Sequence, residues 1–379
     1  MPVVVRDGQG HAIGNLKKED FQVFDRGKQR DITGFSVQAR REVTQKVAGS
    51  STPAKPPLGV APPPRFVILL FDDLHVSPSD LSHVQKAADE FVVNSLEDSD
   101  YGGVVSFSGV GSILTRDKAK LHDAIGKVHV RELYRSVGHG CPEIDYYSAD
   151  LIVNKNDQSA YETAVQDAMS CAHLLPNQRP IAEGMTRSAS AQALSLGDQD
   201  MRVTLSAIRE VVKRVAALPG QRQLVLISPG FLTVTQEGMT SKSEILDLAA
   251  QSNVTISTLD ARGLYAGGHD ASETPNGNTY AQITGQVARQ QLDRGEFSDV
   301  LAELADGTGG TFVHNTNDLA GGLRQVAATP EFTYLLEVSL QDIRPDGSYH
   351  PLKVKIDKRG VAVQSRRGYM APAPPIRKK

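Results

Sequence analysis

Tryptophan is absent from this sequence, cysteine occurs only twice in 379 residues, and aromatic residues make up only 6% of the chain. Two cysteines cannot define a disulfide-rich scaffold. No apolar run approaches the roughly 18 residues that a membrane-spanning helix needs. The net charge is −3 and no strongly basic block precedes the last residues, so the sequence lacks the electrostatic footprint of a protein that binds nucleic acid or anionic membranes. The length suits two or three globular domains.

One stretch, RFVILLFDDLHVS, organises the rest of the chain. Phe66–Phe71 is an unbroken apolar run, which is typical of a strand buried on both faces of a parallel sheet. Asp72 and Asp73 end the run where ligands bind in open α/β sheets, at the carboxyl ends of the strands. The oxygen-rich turn Asp73-x-His75-x-Ser77 could hold a hard cation. The alternative is that the two carboxylates only end the strand and cap the next helix.

Strand and helix patterns alternate over residues 65–329, which predicts an α/β domain with a doubly wound, mostly parallel, Rossmann-like sheet. Ser77 or Ser79 can cap a helix that continues to about Ser95. Residues 131–200 interrupt the alternation as an insertion. The other predicted strands lie at 103–108, 223–228, 254–259 and 310–313, and the other predicted helices lie at about 121–128, 203–218, 243–251, 297–305 and 319–328.

Both ends of the chain are predicted to be β-structure. Residues 1–40 contain three short strand patterns, and residues 330–372 contain three more with a hydrophobic period of two. Three such strands do not make a stable domain alone. The two ends together therefore predict one small β-sandwich, with the α/β domain inserted into it. Residues 41–64 form a Pro-rich linker, and residues 373–379 form a disordered basic tail.

Successive segments of the chain resemble the von Willebrand factor A (VWA) fold, namely FVILLFDDLHVS, GGVVSFSG, QLVLISPGF, VTISTLDARGL and LAELADGTGGTFV. With the flanking stretches VVVRDGQGHAIGNLKKEDFQVFDRGKQRDITGF and VQSRRGYMAP, nearly the whole chain resembles the acidobacterial VWFA-related family. The resemblance is specific for fold and says little about biochemical activity. It implies an exported bacterial protein, extracellular or periplasmic, although no secretory leader pattern is present in this sequence.

The resemblance also implies a metal-ion-dependent adhesion site. VWA domains with such a site use Asp-x-Ser-x-Ser after the first strand, a Thr on a later loop and an Asp after the fourth strand. Asp73, His75 and Ser77 match the first motif with a His in the middle position, and Ser228 stands where the later Asp is expected. No Thr can be assigned. The resemblance thus implies a degenerate site, with Asp73, Ser77, Asp72 and Ser228 as the candidate ligands of Mg²⁺ or Ca²⁺.

The insertion contains both cysteines. Residues 158–175 have a helical pattern with Cys171 on its apolar side, so that Cys171 can face the loop that carries Cys141. A disulfide would close a loop of about 30 residues and would imply an oxidising compartment; two free thiols in a core are the alternative. His139 beside Cys141 suggests a nucleophile and base, and a further His173 suggests a zinc set. Their spacings fit neither site well.

The function that the sequence favours is a noncatalytic protein-binding module of the adhesion type, because no catalytic triad motif, acid/base pair or cofactor fingerprint occurs. Its ligand face would be the carboxyl ends of the sheet strands, lined by Asp73, His75, Ser77 and Ser228. The aromatic, acidic patch Asp145–Tyr147 could meet a partner or pack on its own domain. The alternatives are a cation-dependent hydrolase that uses Asp72 and Asp73, and a structural cell-envelope protein without a ligand at this face.

Overall fold

The described residues of the chain form one parallel sheet and two antiparallel sheets. The parallel sheet has five strands and each antiparallel sheet has four, which confirms the prediction of an α/β chain with separate β-structure. The linker at 41–63 and the tail at 373–379 lie outside the described residues. The computed structural model describes residues 1–7, 12–39, 64–109, 111, 114–131, 140–264, 297–327, 332–339, 349–365 and 368–370.

The regular elements follow one another along the described chain in the order below. The strands are β1 (Pro2–Arg6), β2 (Phe21–Asp25), β3 (Lys28–Arg30), β4 (Ile32–Ala39), β5 (Arg65–Phe71), β6 (Tyr101–Ser106), β7 (Gln221–Ser228), β8 (Val254–Asp260), β9 (Phe312–Val313), β10 (Phe332–Val338), β11 (Tyr349–Ile356), β12 (Ala362–Ser365) and β13 (Gly368–Met370). The helices are α1 (Pro78–Asn94), α2 (Lys118–Gly126), α3 (Tyr146–Val153), α4 (Gln158–Cys171), α5 (Arg179–Ala216), α6 (Gln236–Gln251), α7 (297–308) and α8 (Leu319–Ala327).

The parallel sheet has the strand order β6-β5-β7-β8-β9, and helices cover both of its faces. All seven residues of β5 are buried, as the unbroken apolar run predicts. Val67 and Leu69 face the layer of α1, α2 and α8, whereas Ile68 and Leu70 face the layer of α5, α6 and α7. This alternation follows from the twofold period of a strand. β5 therefore links the two apolar cores of the domain.

Each antiparallel sheet contains strands from both ends of the chain. The sheet orders are β12-β1-β10-β4 and β13-β11-β2-β3, so β1 pairs with β10 and β12 while β2 pairs with β11. Val3, Val23 and Tyr334 belong to one apolar cluster that both sheets share, so the sheets pack against each other. The sequence predicts six strands, and the described parts of the two ends contain eight; β3 and β13, at three residues each, are too short to show a period.

The segment predicted as an insertion is mainly helical where the structure describes it. It holds α3, α4 and the first half of α5, a helix of 38 residues that starts at Arg179. The prediction that this helix begins at Val203 was wrong, because the buried positions of its first half are small or hydroxylated residues that give a weak apolar period. These positions are Ala182, Thr186 and Ser190.

A disulfide joins Cys141 to Cys171, the last residue of α4, across 30 residues of sequence. The predicted pairing is therefore confirmed, and the thiol alternatives are wrong for the same reason: a disulfide-bonded cysteine is neither a nucleophile nor a zinc ligand. His139 lies outside the described residues. Among the helices that the structure describes, none combines the length and the apolar character that a bilayer crossing requires.

Reduction of this disulfide should destabilise the insertion. In the chain-entropy model, opening a closed loop of this length costs about 3–4 kcal/mol. We expect urea unfolding, followed by circular dichroism, to shift to lower urea when dithiothreitol is added. A Cys141→Ser/Cys171→Ser double variant is the control, since its unfolding should not respond to dithiothreitol. Equal unfolding of the oxidised and reduced wild type would contradict the prediction.

Tyr334 should contribute strongly to the stability of the two packed antiparallel sheets. Its hydroxyl donates to the Ile13 carbonyl at 2.6 Å and accepts from the Leu16 N–H at 3.1 Å. Tyr334→Phe leaves both backbone groups without this partner, which should lower the free energy of unfolding by about 1–3 kcal/mol. Tyr161→Phe is a matched control, because the buried Tyr161 hydroxyl has no hydrogen-bond partner in the described structure. Urea unfolding that shifts equally in both variants would refute this assignment.

Candidate functional site

The carboxyl-end edge of the parallel sheet carries two adjacent buried carboxylates. Asp72 is 1% exposed and Asp73 is 0% exposed, and both directly follow β5. The two side chains go in different directions, since Asp72 bonds to Ser228 at the end of β7 and Asp73 bonds to Ser108 beyond β6. β6 and β7 lie on opposite sides of β5 in the sheet, so the two carboxylates bond toward different neighbouring strands.

Asp72 is the centre of a network that reaches β7. The Ser228 hydroxyl donates to Asp72 Oδ2 at 2.5 Å, and the backbone N–H of His75 donates to Asp72 Oδ1 at 3.1 Å. The Ser228 hydroxyl also accepts the N–H of Gly230 at 2.9 Å. Gly230 has a φ of +92°, and a side chain there would meet the Phe297 carbonyl, so the Ser-Pro-Gly turn requires glycine. The turn fixes the hydroxyl that holds Asp72.

The His75 ring lies between two carboxylates. Its Nδ1 is 2.8 Å from Asp72 Oδ1, and its Nε2 is 2.6 Å from Asp200 Oδ2 on α5. The ring also stacks on Phe231, with centroids 6.1 Å apart. Burial alone lowers the pKa of His75, but the charges and hydrogen bonds of Asp72 and Asp200 outweigh it and raise the pKa to about 10. The ring is therefore an imidazolium that donates from both nitrogens.

Asp73 has a separate set of partners. Its Oδ1 accepts the backbone N–H of Ser108 at 3.0 Å, and its Oδ2 accepts the hydroxyl of the same serine. Its own carbonyl accepts the N–H of Arg131 at 2.8 Å. Ser77 takes part in neither carboxylate network, because its hydroxyl caps α1 by accepting the N–H of Asp80 at 3.1 Å. The predicted helix cap is confirmed at Ser77.

A third carboxylate at this edge is neutralised by arginine. Asp260, the last residue of β8, is 1% exposed and forms a two-pronged ion pair with Arg262, at 2.9 and 2.7 Å. The same guanidinium donates to the Ser298 hydroxyl at 2.6 Å. Such a fork-shaped pairing is the strongest form of arginine–carboxylate contact. The edge therefore holds buried carboxylates that each have partners within the protein.

The geometry does not fit a magnesium or calcium cage. Of the candidate ligands, the structure brings together Asp72 and Ser228, whereas Asp73 and Ser77 bond elsewhere. Protein donors occupy both oxygens of each aspartate, while Mg²⁺ requires six oxygens in near-octahedral geometry. No group of three or more histidine, cysteine, aspartate or glutamate side chains suited to a metal ion occurs within the described residues.

Sequence reasoning missed four residues of this edge, including Asp260 at the end of β8. Ser108 and Arg262 lie two residues beyond the ends of β6 and β8, so a search of the predicted strand ends would have found both. Asp200 carries no such signal. It is separated from His75 by 125 residues and lies on a helix whose first half has a weak apolar pattern.

The aromatic patch of the insertion packs on its own domain. The Tyr146 hydroxyl donates to Asp198 of α5 at 2.7 Å, and burial together with the Asp198 charge raises the pKa of Tyr146. The ring lies against Gly197, where any side chain would collide with it. Asp145 caps α3 by accepting the N–H of Ser148 at 2.6 Å. Asp145 and Tyr146 therefore pack within the protein, which was one of the two alternatives for this patch.

No family model matches this chain, and no curated protein does. Solved structures that are similar in part include the following two. The pilus adhesin SpaC from Lactobacillus rhamnosus GG, in its open conformation, has 7% identity and a TM-score of 0.34; the match covers 94% of this chain and 48% of the adhesin. The chain thus spans about half the length of that adhesin. The N-terminal domain of TFIIH p34 has 10% identity and a TM-score of 0.25, with 71% of this chain and 98% of that domain covered.

The His75 bridge should make stability depend on pH. The pKa of His75 is about 10 in the folded protein and 6.5 in the absence of partners, so the folded state holds the proton more tightly. The contribution is fully present below pH 6.5 and is lost as the pH rises through 10. We expect His75→Gln to be destabilising at about pH 6, and the difference from the wild type to shrink by about pH 10.

Urea unfolding at several pH values measures this difference. His122→Gln is the matched control, because His122 also pairs with a carboxylate, Asp89 at 3.0 Å, but its side chain is 68% exposed. That variant should differ little from the wild type at any pH. If the difference in unfolding free energy between His75→Gln and the wild type stayed constant across this pH range, the stabilisation by the bridge would not depend on protonation of His75.

Proposed function

We propose that this chain is a noncatalytic, adhesion-type protein-binding module, and that its partner meets the carboxyl-end edge of the parallel sheet. Ligands of open α/β sheets bind at this edge. The proposal is carried by one observation: the polar side chains that end the strands bond to one another. Asp72, Ser228 and Asp260 are at most 1% exposed. A ligand at this edge would therefore contact the exposed turns and helix ends around them, which suits a partner with an extended surface.

The same network favours binding over hydrolysis. A serine nucleophile needs a base whose free nitrogen accepts its proton. The Ser228 hydroxyl donates to Asp72, and both nitrogens of His75 lie on carboxylates. Asp72 and Asp73 likewise have their oxygens engaged by protein donors, which weighs against a hydrolase that binds a cation there.

An exported location accompanies this proposal. Disulfides form and persist in oxidising compartments such as the periplasm and the cell exterior. The Cys141–Cys171 disulfide closes one loop of the insertion, and helix α5, which begins in the insertion, reaches the sheet edge through Asp200. We propose that the module works outside the cytoplasm, with the insertion beside its binding edge.

Site-specific crosslinking tests the proposed edge. A photoreactive amino acid at Ser79, exposed at the start of α1, samples the carboxyl-end edge. The same amino acid at Ser99, exposed just before β6, samples the opposite edge and is the control. After incubation of the oxidised full chain with an envelope extract of the source bacterium, we expect a discrete protein adduct at Ser79 and none at Ser99.

Two results would contradict the proposal. The absence of an adduct at Ser79, or equal labelling at both positions, would favour a structural envelope protein without a ligand at this edge. Hydrolytic turnover that is lost on Asp73→Ala would favour an enzyme. Ser228→Ala serves as the comparison variant for Asp73→Ala. This substitution changes the Asp72 network and leaves the contacts of Asp73 with Ser108 in place.

A further inference from the structure

Two carboxylates from distant parts of the chain converge at the sheet edge. Asp72 follows β5, and Asp200 belongs to α5, 128 positions later in the sequence. Their side chains are 0% and 23% exposed. Two carboxylates that are brought together away from water repel each other unless a positive charge lies between them. In many proteins a bound metal ion supplies this charge.

Here the positive charge belongs to the chain itself. His75 Nδ1 lies 2.8 and 2.9 Å from the two oxygens of Asp72, and Nε2 lies 2.6 Å from Asp200 Oδ2. A histidine ring donates from both nitrogens only when it carries two protons and a positive charge. Ser228 donates to Asp72 Oδ2 from the other side, at 2.5 Å. A cation could reach Asp72 only by displacing the ring.

We infer that the His75 side chain takes the place of a divalent cation at this edge, bridging Asp72 to Asp200 so that the edge is assembled without a metal. The sequence pattern Asp73-x-His75-x-Ser77 differs from an all-oxygen turn at one position, and that position holds the ring. The bridge also fixes α5 to the end of β5. The inference that the edge forms without a metal ion is independent of whether the proposed protein partner binds there.

Thermal unfolding of the oxidised full chain, with and without metal, tests this inference. A site with a dissociation constant near 1 mM would raise the Tm by about 3 °C or more at roughly 10 mM metal. We expect Mg²⁺, Ca²⁺ and Mn²⁺ to change the wild-type Tm by less than about 1 °C relative to EDTA. Titration calorimetry of the same metals into the wild type should show no saturable heat.

The variant His75→Ser tests whether removal of the ring opens a position for a cation. This substitution removes the ring and leaves a hydroxyl oxygen between two carboxylates, so the variant should have a lower Tm in EDTA and recover about 3 °C or more with Mn²⁺ or Mg²⁺. His122→Ser is the control, because it removes an exposed histidine that also pairs with a carboxylate. Its Tm should respond to metal no more than that of the wild type.

Two outcomes would overturn the inference. One is a wild-type Tm that rises with metal and loses this rise in Asp72→Asn. The other is a folded His75→Ser protein whose Tm is indifferent to all three metals, since an opened cation position should then accept one. The wild-type titration decides the matter if His75→Ser does not fold. None of these measurements uses a protein partner, so their outcome is independent of the crosslinking result at Ser79.

Discussion

The enclosure of β5 between two helix layers is the constraint on which the carboxyl-end edge of the sheet depends. β5 is the strand between β6 and β7, so the two aspartates that follow it lie beside the ends of two neighbouring strands. Asp72 joins β7 and Asp73 joins the turn after β6. A buried carboxylate is tolerated only with partners, so each aspartate must find its own. The position of β5 between two neighbouring strands therefore gives the two aspartates separate hydrogen-bond networks.

Each buried carboxylate at this edge is stabilised by a different combination of donors. Asp72 has an imidazolium and a hydroxyl, Asp73 has a hydroxyl and a backbone N–H, and Asp260 has a guanidinium. Breaking a buried pair by removing one partner costs about 3–5 kcal/mol, so these partners are fixed as part of the fold.

The sequence predicted the parts of this structure that have local signals. The run Phe66–Phe71 indicates an enclosed strand because no polar residue interrupts it, and the helical face of residues 158–175 points Cys171 toward Cys141. The start of α5 and the role of Asp200 were missed for a common reason. The buried positions of that half-helix are alanine, threonine and serine, so its period is weak, and the contact of Asp200 with His75 depends on how α5 packs. Spacing along the chain carries no information about such a contact.

The turn after β5 holds the insertion at both ends. The N–H of Arg131, where the insertion begins, donates to the carbonyl of Asp73 at 2.8 Å. Asp200, where it ends, is bound to His75 at 2.6 Å. Further out, the insertion is closed by its own disulfide. Because its two ends are attached within three residues of each other in the sequence, the insertion is positioned by the same turn that ends the strand. A change in this turn would alter both the Arg131–Asp73 contact and the His75–Asp200 contact. The position of the insertion and the conformation of the sheet edge are therefore coupled through this turn.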